Sequence, residues 1–169
     1  TGSGATILSK DGTGPFITNI TLGKIVDMGI KDANNMGAAM VPAFADTLLT
    51  HFADTGRNPS YYDAIISGDL GKIGKEIAID IAMSKGYNIK SNYNDCGLMI
   101  FDTKAQDTHA GGSGCACCGS VFSGFLFKQL KKKKIKKLLL IATGALMNST
   151  SSQQGESIPG IAHAVSIEL

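Results

Sequence analysis

Apolar residues recur along this chain in two rhythms, and the switches between them mark an alternation of strands and helices. Gly4-Ala5-Thr6-Ile7-Leu8 reads as a strand with Asp11-Gly12-Thr13-Gly14 as the turn after it, and the β-branched stretch from Phe16 to Val26 fits a second strand. From Val41 to Phe52 the spacing becomes helical: Val41, Ala45 and Leu49 recur at every fourth position, with Phe44, Leu48 and Phe52 beside them. Pro42 is placed in the first turn of that helix, where no intrahelical N–H bond is lost, and Gly56 at its C-terminal cap.

Asp63 to Ser67 is a short strand leading into the loop Gly68-Asp69-Leu70-Gly71. The helix that follows carries Ile73, Ile77 and Ile81 on one face and turns Lys75, Glu76 and Asp80 toward water; Gly86 ends it. Tyr87 to His109 is a polar connection with a strand at Cys96 to Phe101, and beyond Cys115 an apolar-faced helix carries Val121, Phe122, Phe125, Leu126 and Leu130. The uninterrupted run Leu138-Leu139-Leu140-Ile141, within Lys137 to Ala145, marks a strand covered on both faces, and Ile161 to Ile167 makes the last strand. Strands alternating with helices predict an α/β sandwich, a single domain over residues 1–169 with no internal repeat and no dividing linker.

Composition narrows the function classes. With 43% hydrophobic and only 18% charged residues, the chain is not a disordered one. A net charge of +2 is too small for a nucleic-acid partner, which needs a concentrated basic surface. No stretch approaches the roughly 20 apolar residues that span a bilayer. The start, Thr1-Gly2-Ser3-Gly4, has neither an initiator methionine nor a basic, apolar secretory signal, and reads as a piece of a longer protein. Three of the four cysteines are clustered, unlike a secreted disulfide framework, so a reducing compartment is expected.

Two glycine-rich loops suggest nucleotide binding and fail on spacing. Gly68 to Ile73 follows a strand and opens a helix but lacks the Gly-Lys-Ser/Thr of a phosphate loop, and Gly2-Ser3-Gly4 lacks a third glycine. The segment His109-Ala110-Gly111-Gly112-Ser113-Gly114-Cys115-Ala116-Cys117-Cys118 is more unusual. Its small residues let backbone and ligand approach closely, with N–H groups free to meet an anion. Cys115 and Cys118 have Cys-x-x-Cys spacing, yet no second pair completes a metal site, so the cysteines read as small buried apolar residues and no metal is expected. His163 shares a strand face with Ile161, Val165 and Ile167, as a hydrogen-bonded core residue would, and His51 has no evident partner. The lysines from Lys131 to Lys137 end a helix; they read as a solvated turn or, more sharply, as a contact for anionic lipid headgroups.

Several long blocks then carry a resemblance. Val26 to Lys31 with Asp32, Asn35 to Met40, His51 to Arg57, Asp95-Cys96-Gly97, Ala110 to Cys115, Leu139 to Leu146 and Ser151 to Val165 are, in order, similar to the closing half of the stage V sporulation protein AD family, within the thiolase-like superfamily. The resemblance implies a thiolase-like layered sandwich, of which this chain is the second half only, a mixed five-stranded sheet with helices. The first half, carrying the position of the thiolase nucleophilic cysteine, would precede Thr1.

It also implies a dipicolinic-acid-binding protein of the spore inner membrane, peripheral to it, acting in dipicolinate uptake in sporulation and release in germination. Partners would be the N-terminal half and the other stage V sporulation A operon proteins. Condensing enzymes of this fold place a histidine after a middle strand, but Ile65 to Leu70 has none. They place Asn or His before a small-residue helix start, where either His109 or Gly112 falls, and thiolases carry a second cysteine that Gln154 to Gly160 lacks. The expectation is a non-catalytic binding module without cofactor, its ligand, alone or bridged by calcium, contacted by Gly68, Asp69, His109, Gly111, Gly112, Ser113, Ser157 and Gly160. The alternative is an acyltransferase or thiolase/ketoacyl-synthase-type enzyme that uses His109 and a cysteine of the absent half.

Overall fold

A computed structural model describes residues 2–169. Five strands form one mixed sheet in the order β1-β5-β4-β2-β3: β1 (Phe16–Thr21), β2 (Ala64–Ser67), β3 (Tyr93–Asp95), β4 (Lys137–Ala145) and β5 (Gly160–Glu168). β2 runs parallel to β3 and β4, and β5 is antiparallel to β4 and β1. One face of the sheet (Ile65, Leu139, Ile141, Ala162, Ala164) packs against α1 (Met36–Thr55) and α2 (Gly71–Ser84). The opposite face (Ala64, Ile66, Leu138, Ile167) packs against α3 (Cys96–Ile100) and the helical run α4 (Cys117–Val121), π-turn Phe122–Leu126 and α5 (Phe127–Lys131). A short α6 (Ser149–Gln153) precedes β5. The β4 residues Leu138 to Ile141 therefore serve both cores alternately, as period-2 geometry requires of a strand covered on both sides.

The strand at Lys137–Ala145 stands as predicted, and the last strand gains one residue at each end. Other expectations are corrected. Gly4 to Leu8 is no strand: it runs extended along α4 and the π-turn, Thr6 meeting Ser123 at 3.4 Å, and leaves Ile7 96% exposed. Alternation makes a strand only where a neighbouring strand takes its backbone groups, and here none does. The second strand stops at Thr21, and Val26 rejoins the sheet by one bridge to Gly160.

Helix α1 begins five residues before Val41, because the Asn35 side chain caps it by accepting from the Ala38 N–H (3.2 Å). Pro42 thus lies inside the helix and costs it a backbone bond. Burial of Met40, Val41, Ala43 and Phe44 against the sheet outweighs that loss. Gly56 takes the left-handed cap as expected, with φ 65°.

The inward face of α2 is Gly74, Ala78 and Ala82, while Ile73 is exposed and Ile77 and Ile81 are half-buried. The reason is close helix contact: a Cβ on Gly37 would sit 2.2 Å from the Leu70 carbonyl oxygen and 3.2 Å from the Gly74 nitrogen. Bulky isoleucines cannot enter such an approach. Cys96 to Phe101 is helix rather than strand for its first five residues, the strand lying just before it at β3. Asp95 switches the chain from one to the other by capping α3 through the Gly97 N–H (2.9 Å). Phe125 points outward, 49% exposed, since the π-turn shifts the helical register by one residue.

Candidate ligand-binding site

The C-terminal ends of β2 and β4 carry the segment Ser67 to Gly71, and two carboxylates organise it. Asp95 is fully buried and accepts four hydrogen bonds: from the Gly71 and Gly97 N–H groups (2.9 Å each), the Leu70 N–H (2.8 Å) and the Ser67 hydroxyl (2.6 Å). The Ser67 proton is committed to Asp95, so the Tyr93 hydroxyl donates to Ser67 at 2.8 Å. Burial pushes the Asp95 carboxyl upward against the pull of its donors, and pushes the Tyr93 phenol up as well.

Asp69 joins the strand ends to the glycine-rich loop. It accepts from Thr143 Oγ1 (2.8 Å) on β4, from the Gly114 N–H (2.9 Å) and from the Ser113 hydroxyl (3.3 Å). Two further bonds strap the loop down: Lys72 N–H to the Ala110 carbonyl and Gly112 N–H to the Gly97 carbonyl, each 2.8 Å. Gly111, with φ 112°, passes so close that a Cβ would lie 2.8 Å from the Gly97 oxygen. The loop is therefore held at three points by groups far apart in sequence.

Beside it opens a groove of about 680 Å³, with Met99, Ile100 and Phe101 on one side, Phe125 on the other and Gly112 to Cys117 along its edge. The N–H groups of Ser113, Cys115 and Ala116 have no protein acceptor among the described residues. The site thus offers apolar walls and backbone donors without protein acceptors among the described residues.

Of the predicted contact residues, Gly68, Asp69, Gly111, Gly112 and Ser113 come together. Gly68 lets the β2 and β4 ends meet, since a Cβ there would be 2.6 Å from Thr143 Oγ1. His109 stands at the loop's shoulder with φ 49°, its ring 91% exposed and 3.7 Å from Asp107, and it does not line the groove. Ser157 instead donates to Asp27 (2.6 Å), holding that carboxyl below its usual range, and Gly160 exchanges both backbone bonds with Val26. Thr143, Asp95 and Gly114 escaped the sequence reading. Thr143 left a faint signal, a hydroxyl near the end of an apolar strand, whereas Asp95 left none, since the segment after it read as a strand.

Among the described residues no cluster of three or more His, Cys, Asp or Glu could hold a metal ion. Cys96 and Cys117 are buried as expected and Cys115 is exposed at the groove. Burial pushes the Cys117 thiol up to about 12. The hydrogen bond between Cys96 and Cys118 draws Cys118 down and Cys96 up. No helix is long and apolar enough to cross a membrane among the described residues.

The family model for Stage V sporulation protein AD matches residues 1–168. The chain belongs to the stage V sporulation protein AD family. A curated relative in Bacillus subtilis (strain 168), Stage V sporulation protein AD, is 46% identical over 168 residues, which cover 99% of this chain and 49% of the relative. The chain spans about half the length of that relative. The loop and the Asp95 network accordingly sit within a sporulation-protein family.

A second polar network lies at the other end of the sheet, where the sequence named no partner for His51. The ring is fully buried, with Thr21 Oγ1 at 2.7 Å from Nδ1 and the Tyr62 hydroxyl at 2.6 Å from Nε2. Arg57 donates to the Tyr62 oxygen (3.1 Å), which leaves the Tyr62 proton for Nε2 and the ring proton on Nδ1. Arg57 also pairs with Glu168 at 2.9 Å. His163, in contrast, is exposed and accepts from the Gly23 N–H at 3.0 Å, so it is no core residue.

Burial, then the nearby Arg57 charge, lowers the His51 pKa below its ordinary 6.5. The unfolded chain therefore takes up a proton before the folded one does. This contribution to stability is complete above about pH 6.5 and is lost as pH falls from there toward the depressed folded value. Urea titrations at pH 7.5 and 5.5 should show the wild type losing more stability on acidification than His51→Gln; equal losses would contradict the assignment.

Proposed function

We propose that this chain is the second half of a non-catalytic, thiolase-like protein that binds dipicolinic acid in the spore. The supporting observation is the strapped loop Gly111 to Cys115, whose free N–H groups and Ser113 hydroxyl edge a groove walled by Phe101 and Phe125. A pyridine ring suits the apolar walls, and its carboxylates suit the donors. The Ser113 hydroxyl is held only loosely by Asp69, at 3.3 Å, so it can turn to a ligand. Asp69 repels a dianion, and calcium bridging the two would relieve that repulsion.

The reading extends to the whole protein. The exposed Ile100, Phe101 and Phe125 share one apolar face, which suits the N-terminal half of a layered sandwich. The setting is then the inner-membrane periphery of the spore, alongside the other stage V sporulation A operon proteins, in dipicolinate uptake and release. The upward-shifted Cys96 and Cys117 thiols stay protonated at neutral pH, so neither of these two is a ready nucleophile.

Calorimetry on the full-length protein tests this. Dipicolinate should bind, more tightly with calcium, and Ser113→Ala should weaken it by roughly 10- to 100-fold, the worth of a hydrogen bond to a charged group. No heat with or without calcium would sink the reading. A labelled acyl adduct formed from an acyl thioester would favour the acyltransferase instead.

A further inference from the structure

Seven lysines fall between Lys128 and Lys137 with no acidic residue among them. The other nine basic residues of the sixteen face fourteen acidic ones, so the rest of the chain carries a net charge of −5 while this segment carries +7. Lys131, Lys132, Lys133, Lys134 and Lys136 are exposed, and none of the seven forms an ion pair among the described residues. The Asp63 carboxylate beside the turn accepts instead from the backbone N–H groups of Lys136 (2.7 Å) and Lys137 (3.0 Å).

The turn is also built rigidly. The Lys133 N–H reaches the Leu130 carbonyl (2.8 Å) and the Lys134 N–H the Gln129 carbonyl (3.0 Å), closing α5 with a C-terminal motif. Its left-handed position, normally glycine, is Lys133 at φ 57°. Half-buried Ile135 anchors the end of the turn in the core. A strained lysine amid like charges is unfavourable for folding on both counts, which points to a use for the charge.

We infer that the Lys131–Lys137 turn is an electrostatic dock for an anionic lipid surface, and that it fixes the protein's orientation there. Within this chain, repulsion from the −5 remainder favours approach by this turn. The turn opens β4 and Thr143 lies near its far end, so docking holds the ligand loop roughly 20 Å from the surface at about 3.3 Å per residue. Mobile lysine point charges suit fluid headgroups. Nucleic acid would call for arginine forks or exposed aromatics, and residues 128–137 contain neither.

Co-sedimentation of the full-length protein with phosphatidylglycerol–phosphatidylcholine vesicles tests the dock. Binding is expected on mixed vesicles, absent on pure phosphatidylcholine and lost at high salt. At the roughly fivefold worth of each lysine, replacing Lys132, Lys133 and Lys134 by Gln should weaken it on the order of a hundredfold. The same change at Lys85, Lys90 and Lys104 should leave binding intact. Lys133→Gly should weaken binding about fivefold while raising the melting temperature, which separates charge from folding. Equal binding by the Lys132–Lys134 variant and wild type, equal loss in the control, or tighter binding to duplex DNA than to the vesicles would overturn the inference.

Discussion

Asp95→Ala is expected to lower the melting temperature of the full-length protein by about 10 °C. The substitution strands three backbone N–H groups, of Leu70, Gly71 and Gly97, and the Ser67 hydroxyl in a site closed to water. Removing one partner of a buried charged network costs about 4 kcal/mol, and each kcal/mol moves a domain of this size by roughly 2–4 °C. Asp95→Asn keeps one acceptor oxygen and should recover about half of the loss. Because those N–H groups shape the Ser67 to Gly71 turn and the start of α3, dipicolinate binding should fall with stability. Thermal unfolding within 2–3 °C of wild type for Asp95→Ala (about 1 kcal/mol) would show that the carboxylate is not what holds this turn.

Gly97→Val should have the second-largest effect, on both folding and the candidate site. A Cβ at Gly97 would lie 2.1 Å from the Gly112 carbonyl oxygen and 2.9 Å from Asp95 Oδ1. Neither is a flexible side-chain tip that can move aside. The glycine-rich loop must lift, breaking the Gly112 N–H bond to the Gly97 carbonyl. A loss of about 3 kcal/mol is expected from this overpacking. Dipicolinate affinity should drop at least tenfold, a factor worth about 1.4 kcal/mol. Gly12→Ala, where nothing lies within 4 Å of the added carbon, serves as the neutral comparison. Calorimetry and urea unfolding read both effects, and an unchanged affinity for Gly97→Val would separate the loop from the ligand.

These two residues also show where sequence reading stops. Asp95 sits beside the segment that periodicity assigned to a strand, and its donors lie 2 to 28 residues away. Nothing local distinguishes it from a surface aspartate. The Cys96 to Phe101 error has the same root: a five-residue apolar run is equally good as strand or helix until the Asp95 cap starts the turn. In α2 the isoleucine stripe pointed to the wrong face, because the contact that decides orientation is Gly37 against Gly74, and glycine carries no hydrophobic signal.

The chain's own order of apolar residues determined the α/β alternation, the doubly covered strand Lys137–Ala145, the closing strand and the helix around Val41 to Phe52. These depend on burial within a few residues, and that is written in local periodicity. Only the tertiary structure decided which carboxylate meets which N–H, that Asp69 grips Thr143 and Gly114, and that Ser157 and Gly160 serve Asp27 and Val26 instead of the loop. The Asp69 bonds to Gly114 and Thr143 and the Ser157 bond to Asp27 join residues 45 to 130 positions apart. Their geometry comes from sheet register and helix packing, which no single segment encodes.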